Sequence, residues 1–174
     1  MKPIDTIIFD FGGVLLNLNK QACVDAFARL GVYGMDEWIN NYKQKGLFLL
    51  FEEGKITTDD FFVQLQEMAG KHIAIHDLKQ AYLAFLEDLP VSKLSLIRRL
   101  RGRYKILMLS NINEFIFDHC AKTRFPDPYS IEVCFDKVYL SFETGVCKPD
   151  RAIFDYMIVD SYLDPQRCLF LDDG

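Results

Sequence analysis

An α/β fold, a parallel Rossmann-like sheet core with an inserted helical cap, is predicted by three observations. Short apolar runs rich in β-branched and aromatic residues recur, and three of them end on a polar residue: Thr6–Phe9 before Asp10, Tyr104–Leu109 before Ser110, and Cys168–Leu171 before Asp172. In the second half of the chain such runs alternate with helical periodicity, as parallel strands joined by right-handed crossovers require. Between the first and second runs lies a helical stretch, from about Lys20 to Leu89, that is too long for one crossover. Residues 1–16 and 90–174 are therefore expected to form the core and residues 17–89 the cap.

Each element has a local reason. Thr6-Ile7-Ile8-Phe9 stops at Asp10-Phe11-Gly12-Gly13, as a buried strand ends in a loop. Val24, Phe27, Ala28 and Leu30 predict a helix that Gly31 stops. Trp38, Ile39, Tyr42, Leu47, Leu50 and Phe51 predict a second, with a break at Gly46. Thr58-Asp59-Asp60 is expected to cap a third, carrying Phe61, Phe62, Leu65 and Met68 and ending at Gly70. Leu78, Ala81, Tyr82 and Phe85 predict a fourth, ending before Pro90. Leu94, Ile97 and Leu100 then form a helix up to Gly102, and Tyr104–Leu109 a strand. A helix over Glu114–Lys122 precedes a loop marked by Pro126 and Pro128. Lys137–Leu140 is a short strand, Lys148-Pro149-Asp150 opens a helix, and Cys168–Leu171 is the last strand. The sequence stops just after that strand and its acidic loop, where a doubly wound sheet ordinarily continues. Truncation after this point is the expectation.

Composition narrows the function. The chain has 174 residues, 50% hydrophobic and 26% charged, with a formal net charge of -5. That is enough apolar side chain for a folded core. A general nucleic-acid binder would be basic. The basic run Arg98, Arg99, Arg101, Arg103 and Lys105 is expected to be a solvated helix face. No apolar stretch approaches the ~20 residues that span a bilayer. The start, Met1-Lys2-Pro3-Ile4-Asp5, lacks a secretory pattern, so a cytoplasmic location is expected. The five cysteines, Cys23, Cys120, Cys134, Cys147 and Cys168, include no CxxC pair and are expected to be reduced core filler. Monomer and homodimer both remain open; Tyr33, Met35 and Trp38 could mark a dimer patch or the core of the cap.

The chemistry-bearing residues cluster once the frame is drawn. Asp10, Ser110, Lys148, Asp172 and Asp173 fall at strand ends or at a helix start near one. In an open parallel sheet these loops line the ligand crevice. Segments far apart in sequence thus bring carboxylates, a hydroxyl and an ammonium to one rim.

The motifs carrying those residues are Ile7-Ile8-Phe9-Asp10-Phe11-Gly12-Gly13-Val14, Leu107-Met108-Leu109-Ser110-Asn111, Lys148-Pro149-Asp150 and Leu169-Phe170-Leu171-Asp172-Asp173. In this order they resemble the haloacid dehalogenase superfamily of hydrolases, over nearly the whole chain. Glu52-Glu53-Gly54-Lys55-Ile56-Thr57 and Val138-Tyr139-Leu140-Ser141 further resemble its α-D-glucose-1-phosphate phosphatase branch. The resemblance implies a phosphatase acting on a small phosphorylated metabolite, a sugar 1-phosphate in that branch. Asp10 would be the nucleophile, forming an aspartyl-phosphate. Mg²⁺ would be the cofactor, held by Asp10, the Gly12 carbonyl and Asp172. Lys148 would pair with the nucleophile and phosphoryl oxygens, and Ser110 and the Asn111 amide would bind a phosphoryl oxygen. Asp173 would bind the metal through water or orient its neighbours.

One position departs from the pattern. Phosphatases of the superfamily usually carry a second Asp two residues after the nucleophile, as acid and base; that position is Gly12. The loss is worth about 10²–10⁴ in rate. Three readings follow: a substrate whose leaving group needs little proton assistance, such as a sugar 1-phosphate; a 2-haloacid dehalogenase, whose usual Tyr at this position and nearby Arg are not evident; or a catalytically weakened phosphate-binding regulatory protein. In the cap, Phe48, Phe51, Phe61, Phe62 and Tyr82 are expected to be bundle core. Glu52 and Glu53 either face the cleft or form a solvated helix end. His72, His76 and His119 lack metal-ligand spacing.

Overall fold

The computed structural model describes residues 2–39 and 46–174. Strand β1 (Thr6–Phe9) is followed by helices α1 (Lys20–Arg29), α2 (Met35–Trp38), α3 (Gly46–Glu52), α4 (Thr58–Met68) and α5 (Ile75–Leu83). Then come α6 (Val91–Arg101), β2 (Lys105–Ser110), α7 (Glu114–Thr123), α8 (Ile131–Cys134), β3 (Lys137–Leu140), α9 (Ser141–Thr144), α10 (Arg151–Asp160) and β4 (Cys168–Leu171). The four strands form one parallel sheet in the order β3-β2-β1-β4. The α/β class and parallel topology are as the sequence predicts.

Strand alternation decides which side chains go to which face. Ile7 and Phe9 of β1, Ile106 and Met108 of β2, and Leu140 of β3 enter a large apolar cluster that continues into the helices after β1, through Phe27, Phe48, Phe51, Phe61 and Leu78. Ile8, Leu107, Leu109 and Tyr139 face the other way, onto Ile153 and Met157 of α10. The chain enters and leaves the helical stretch side by side. The Asn17 amide donates to the Asp88 carbonyl and the Glu87 amide to the Asn17 carbonyl, at 2.9 and 3.0 Å, and the Asn19 amide donates to the Phe85 carbonyl at 2.8 Å. Lys93 Nζ fastens the turn after β1 by donating to the carbonyls of Val14 and Leu15 at 2.8 and 3.1 Å.

Several local expectations are corrected. Helix α4 is capped by Thr57 rather than Thr58, in a reciprocal capping box with Asp60. The second predicted helix is two elements, α2 and α3, and Tyr42 lies outside the described residues. Helix α5 ends at Leu83, before Phe85, because Leu18 and Leu86 pair as an isolated bridge. Helices α8 and α9, four residues each, were not expected, being too short to show periodicity. Arg101 and Lys105 are not part of a solvated face. Arg101 pairs with Asp136 at 3.0 Å, and Lys105 Nζ donates to the Ser161 carbonyl at 2.7 Å. Met35 is core while Tyr33 is 77% exposed, so the two do not form one patch. All five cysteines are free thiols, four of them buried. Among the described residues, no helix is long and apolar enough to cross a membrane.

Candidate active site

The polar residues meet at the carboxyl ends of β1, β2 and β4, in a cleft of about 700 Å³. Asp10 follows β1 directly and is 8% exposed. Its Oδ1 accepts from the Phe11 amide at 2.6 Å and from Ser110 Oγ at 2.9 Å. Its Oδ2 accepts from Lys148 Nζ at 2.6 Å, and the same ammonium donates to Asp172 Oδ2 at 2.6 Å. Burial pushes the Asp10 carboxyl above the usual carboxylate range, and Lys148, Ser110 and the Phe11 amide draw it back down. Parallel pairing sets this convergence: Phe9 is in register with Met108 and Leu171, so Asp10 leaves β1 level with Asp172 and one residue short of Ser110, which closes β2.

Lys148 is aimed by a contact that spacing does not reveal. The Lys148 amide donates to Asn111 Oδ1 at 2.7 Å, and Asn111 Nδ2 donates to the Lys148 carbonyl at 2.9 Å. The side chain of Asn111, expected only for its backbone amide, thus clamps the lysine's main chain to the end of β2.

Asp10, Asp172 and Asp173 offer carboxylate oxygens that all lie within 4.8 Å of one another, the one such metal-capable group among the described residues. Hard oxygen donors in this arrangement fit a divalent cation such as Mg²⁺. Gly12, whose carbonyl the family resemblance would give to the metal, lines the same cleft. Gly13 shows how tightly the first and fourth motifs meet. It has φ +78°, and a Cβ there would fall 2.0 Å from Asp173 Oδ2, so only glycine admits the carboxylate. Asp173 is therefore as much part of the acidic group as Asp172.

The Gly12 departure also has a structural counterpart. A Cβ at Gly12 would lie 3.1 Å from Leu18 Cδ1, so an apolar side chain occupies the direction in which the usual second Asp would point. The cleft is also lined by Glu52, at the end of α3. Its residue stays partly open through the cleft mouth, but its carboxyl is surrounded by protein. Burial, aided by the Asp10 charge and opposed by Lys148, pushes Glu52 up to about 8. Glu53, by contrast, pairs with Lys55 at 2.8 Å. The two glutamates that the sequence leaves equivalent are thus distinguished. Phe48, Phe51, Phe61, Phe62 and Tyr82 are buried core and do not line the cleft.

A parallel sheet whose strand ends gather a buried carboxylate, a hydroxyl, a lysine and an acidic pair defines a class of hydrolase. The haloacid dehalogenase-like hydrolase family matches residues 4–174, and the chain belongs to that family. The chain is an enzyme of this hydrolase class.

Individual relatives narrow the comparison. The D-ribitol-5-phosphate phosphatase of Bacteroides thetaiotaomicron is 38% identical over 172 residues, covering 98% of this chain and 84% of that protein. A haloacid dehalogenase-family enzyme of the same organism, solved as the wild-type protein with magnesium and inorganic phosphate, superposes with a TM-score of 0.91 at 34% identity. That match covers 98% of this chain and 85% of the other. A haloacid dehalogenase-like hydrolase of Porphyromonas gingivalis gives a TM-score of 0.90 at 36% identity, covering 99% and 83%.

Proposed function

We propose that the chain is a Mg²⁺-dependent phosphatase that hydrolyses a small sugar or alditol phosphate through an aspartyl-phosphate. The observation that carries this reading is the meeting of Asp10, Ser110, Lys148 and Asp172 within hydrogen-bond reach. Ser110 and the Phe11 amide fix one oxygen of Asp10 and so orient the carboxylate towards an incoming phosphorus. Lys148 counters the charge that gathers as two anions approach. Asp10, Asp172, Asp173 and the Gly12 carbonyl would hold the Mg²⁺, which supplies further positive charge against the phosphoryl oxygens. Once substrate enters, the Asn111 backbone amide would bind a phosphoryl oxygen, and Ser110 would turn its one hydroxyl proton from Asp10 to the same group.

The substrate class rests on the cleft and on the relatives. Glu87 lines the cleft and, accepting from Asn19 on Oε1, offers its other carboxylate oxygen to a hydroxylated carbon chain. The relative named for D-ribitol 5-phosphate supports a terminal alditol phosphate, and the absent acid at Gly12 supports a sugar 1-phosphate, whose leaving oxygen is less basic. Residues 17–89 act as the cap over a core of residues 1–16 and 90–174; the paired crossing at Asn17–Asn19 and Phe85–Asp88 supports those boundaries. The dehalogenase alternative gains nothing from three gathered carboxylates, since that chemistry needs no cation.

A screen of alditol and sugar phosphates, with Mg²⁺ and with a chelator, tests the reading. Phosphate release that needs Mg²⁺ and disappears in Asp10→Asn is the expected result. Release that persists in that variant would remove the nucleophile, and phosphate binding without any turnover would favour a regulatory role.

A further inference from the structure

We propose that Glu52 is the acid and base of the reaction, protonating the departing oxygen and then deprotonating the attacking water, in place of the carboxylate absent at Gly12. This assignment rests on the phosphatase reading above.

Three placements support it. Glu52 lines the same cleft as Asp10, Lys148 and Asp172, brought there by the end of helix α3 rather than by a strand end, and it is near enough to feel the charges of Asp10 and Lys148. Its backbone is fixed from the core: Ser141 Oγ donates to the Glu52 carbonyl at 2.7 Å and accepts from the Ile112 amide at 2.9 Å. Two residues on, Gly54 packs so closely that a Cβ would fall 2.1 Å from the Phe142 carbonyl oxygen. Helix α3 therefore ends against α9 in a defined position, which fixes the backbone from which Glu52 reaches the cleft. Leu18 Cδ1 lies 3.1 Å from where a Cβ at Gly12 would stand, so a side chain there would have to displace it.

The groups that face Glu52 favour a held proton. Burial and the charges of Asp10 and Glu53 raise its carboxyl, and Lys148 alone of the named charges lowers it. Tyr82 and Cys147, on α5 and in the loop before α10, are themselves pushed up by burial and by Glu52, so neither carries a competing charge near neutral pH.

The proton balance is complete. Asp10 attacks phosphorus and the P–O bond to the alcohol breaks; the departing oxygen takes the bond pair and the Glu52 proton, and the alcohol leaves. Glu52, now a carboxylate, takes a proton from water as that water attacks the aspartyl-phosphate. The bond between phosphorus and Asp10 breaks, inorganic phosphate leaves, and both carboxyls return to their starting states.

The test compares Glu52→Gln with wild type, in Mg²⁺, on D-ribitol 5-phosphate and on 4-nitrophenyl phosphate, whose leaving group needs no proton. On the alkyl phosphate, kcat should fall about 10²–10⁴-fold without a rise in KM. On the aryl phosphate, the first turnover should keep its burst of nitrophenolate within a few-fold, which also shows that the variant is folded. A slow steady state should follow as phosphoenzyme accumulates. A rise in KM at unchanged kcat would overturn the assignment and make Glu52 a hydroxyl-binding residue. Equal loss in the aryl burst and in alkyl turnover would overturn it as well. Wild type without turnover on either ester would instead overturn the phosphatase reading, and this assignment with it.

Discussion

The strand-end floor of the cleft and its helical wall are built differently. The floor is made of strand ends: Asp10, Ser110 and Asp172 each follow or close a strand, and the sheet register fixes their spacing to within a hydrogen bond. The helical wall contributes Glu52 from a seven-residue helix, held in place through Ser141 and the Gly54 contact with Phe142. Groups on the floor are tied to one another. The carboxyl on the wall owes its state to burial and to charges across the gap. A fold can thus hold one part of its chemistry rigidly through its sheet, while the part that meets the rest of the substrate depends on a few contacts between helices.

Substitutions can break this contrast in order of size. Asp10→Asn should cost about 10⁴-fold or more in turnover on every phosphate ester, because no other carboxylate sits between Ser110 and Lys148. Steady-state kinetics on two esters with different leaving groups would check it, and a loss confined to one ester would contradict the shared role of the floor. Lys148→Ala should lower turnover by roughly 10²–10³-fold, again regardless of leaving group, since it removes the fixed cation from beside both Asp10 and Asp172.

Wall substitutions should look different. Gly54→Ala forces a side chain into a backbone with φ +63° and against the Phe142 carbonyl. It should destabilise the fold by about 1–3 kcal/mol in denaturant titration. It should also slow alkyl phosphates more than aryl ones, because it displaces Glu52 and leaves Asp10 in place.

The smallest effect sharpens the contrast through pH. Glu52 is raised to about 8 in the folded chain from an ordinary 4.5. Between those values the folded state holds a proton that the unfolded state has released. Stability from this group is therefore full at low pH and declines as pH rises through that window. Glu52→Gln removes the decline. The variant should match wild type in thermal unfolding at pH 5 and exceed it at pH 8.5, by roughly 1–2 kcal/mol after allowing for partial solvation. No gain at pH 8.5 would mean that the carboxyl is solvated and the wall is not as closed as its packing indicates.

What the sequence makes legible follows the same division. Ile7-Ile8-Phe9 before Asp10 and Leu169-Phe170-Leu171 before Asp172 are readable because a strand end fixes where the next side chain emerges, whatever else surrounds it. The clamp of Asn111 on the Lys148 backbone is not readable, because it joins residues 37 apart through a side chain whose spacing carries no period. Glu52 and Glu53 are adjacent and chemically alike. Only the packing of α3 against α9 separates them, and α9, at four residues, is too short to announce itself. The cap of α4 at Thr57 rather than Thr58 is an error of the same kind, since either threonine offers an oxygen and only the backbone decides.

The acidic rim has a further consequence, for the order of events. Asp10, Asp172 and Asp173 set three carboxylates against the single ammonium of Lys148. Left to itself, such a mouth turns away the dianion it exists to receive. A divalent ion held by the three would cancel the remaining two negative charges, which favours its binding ahead of the phosphate.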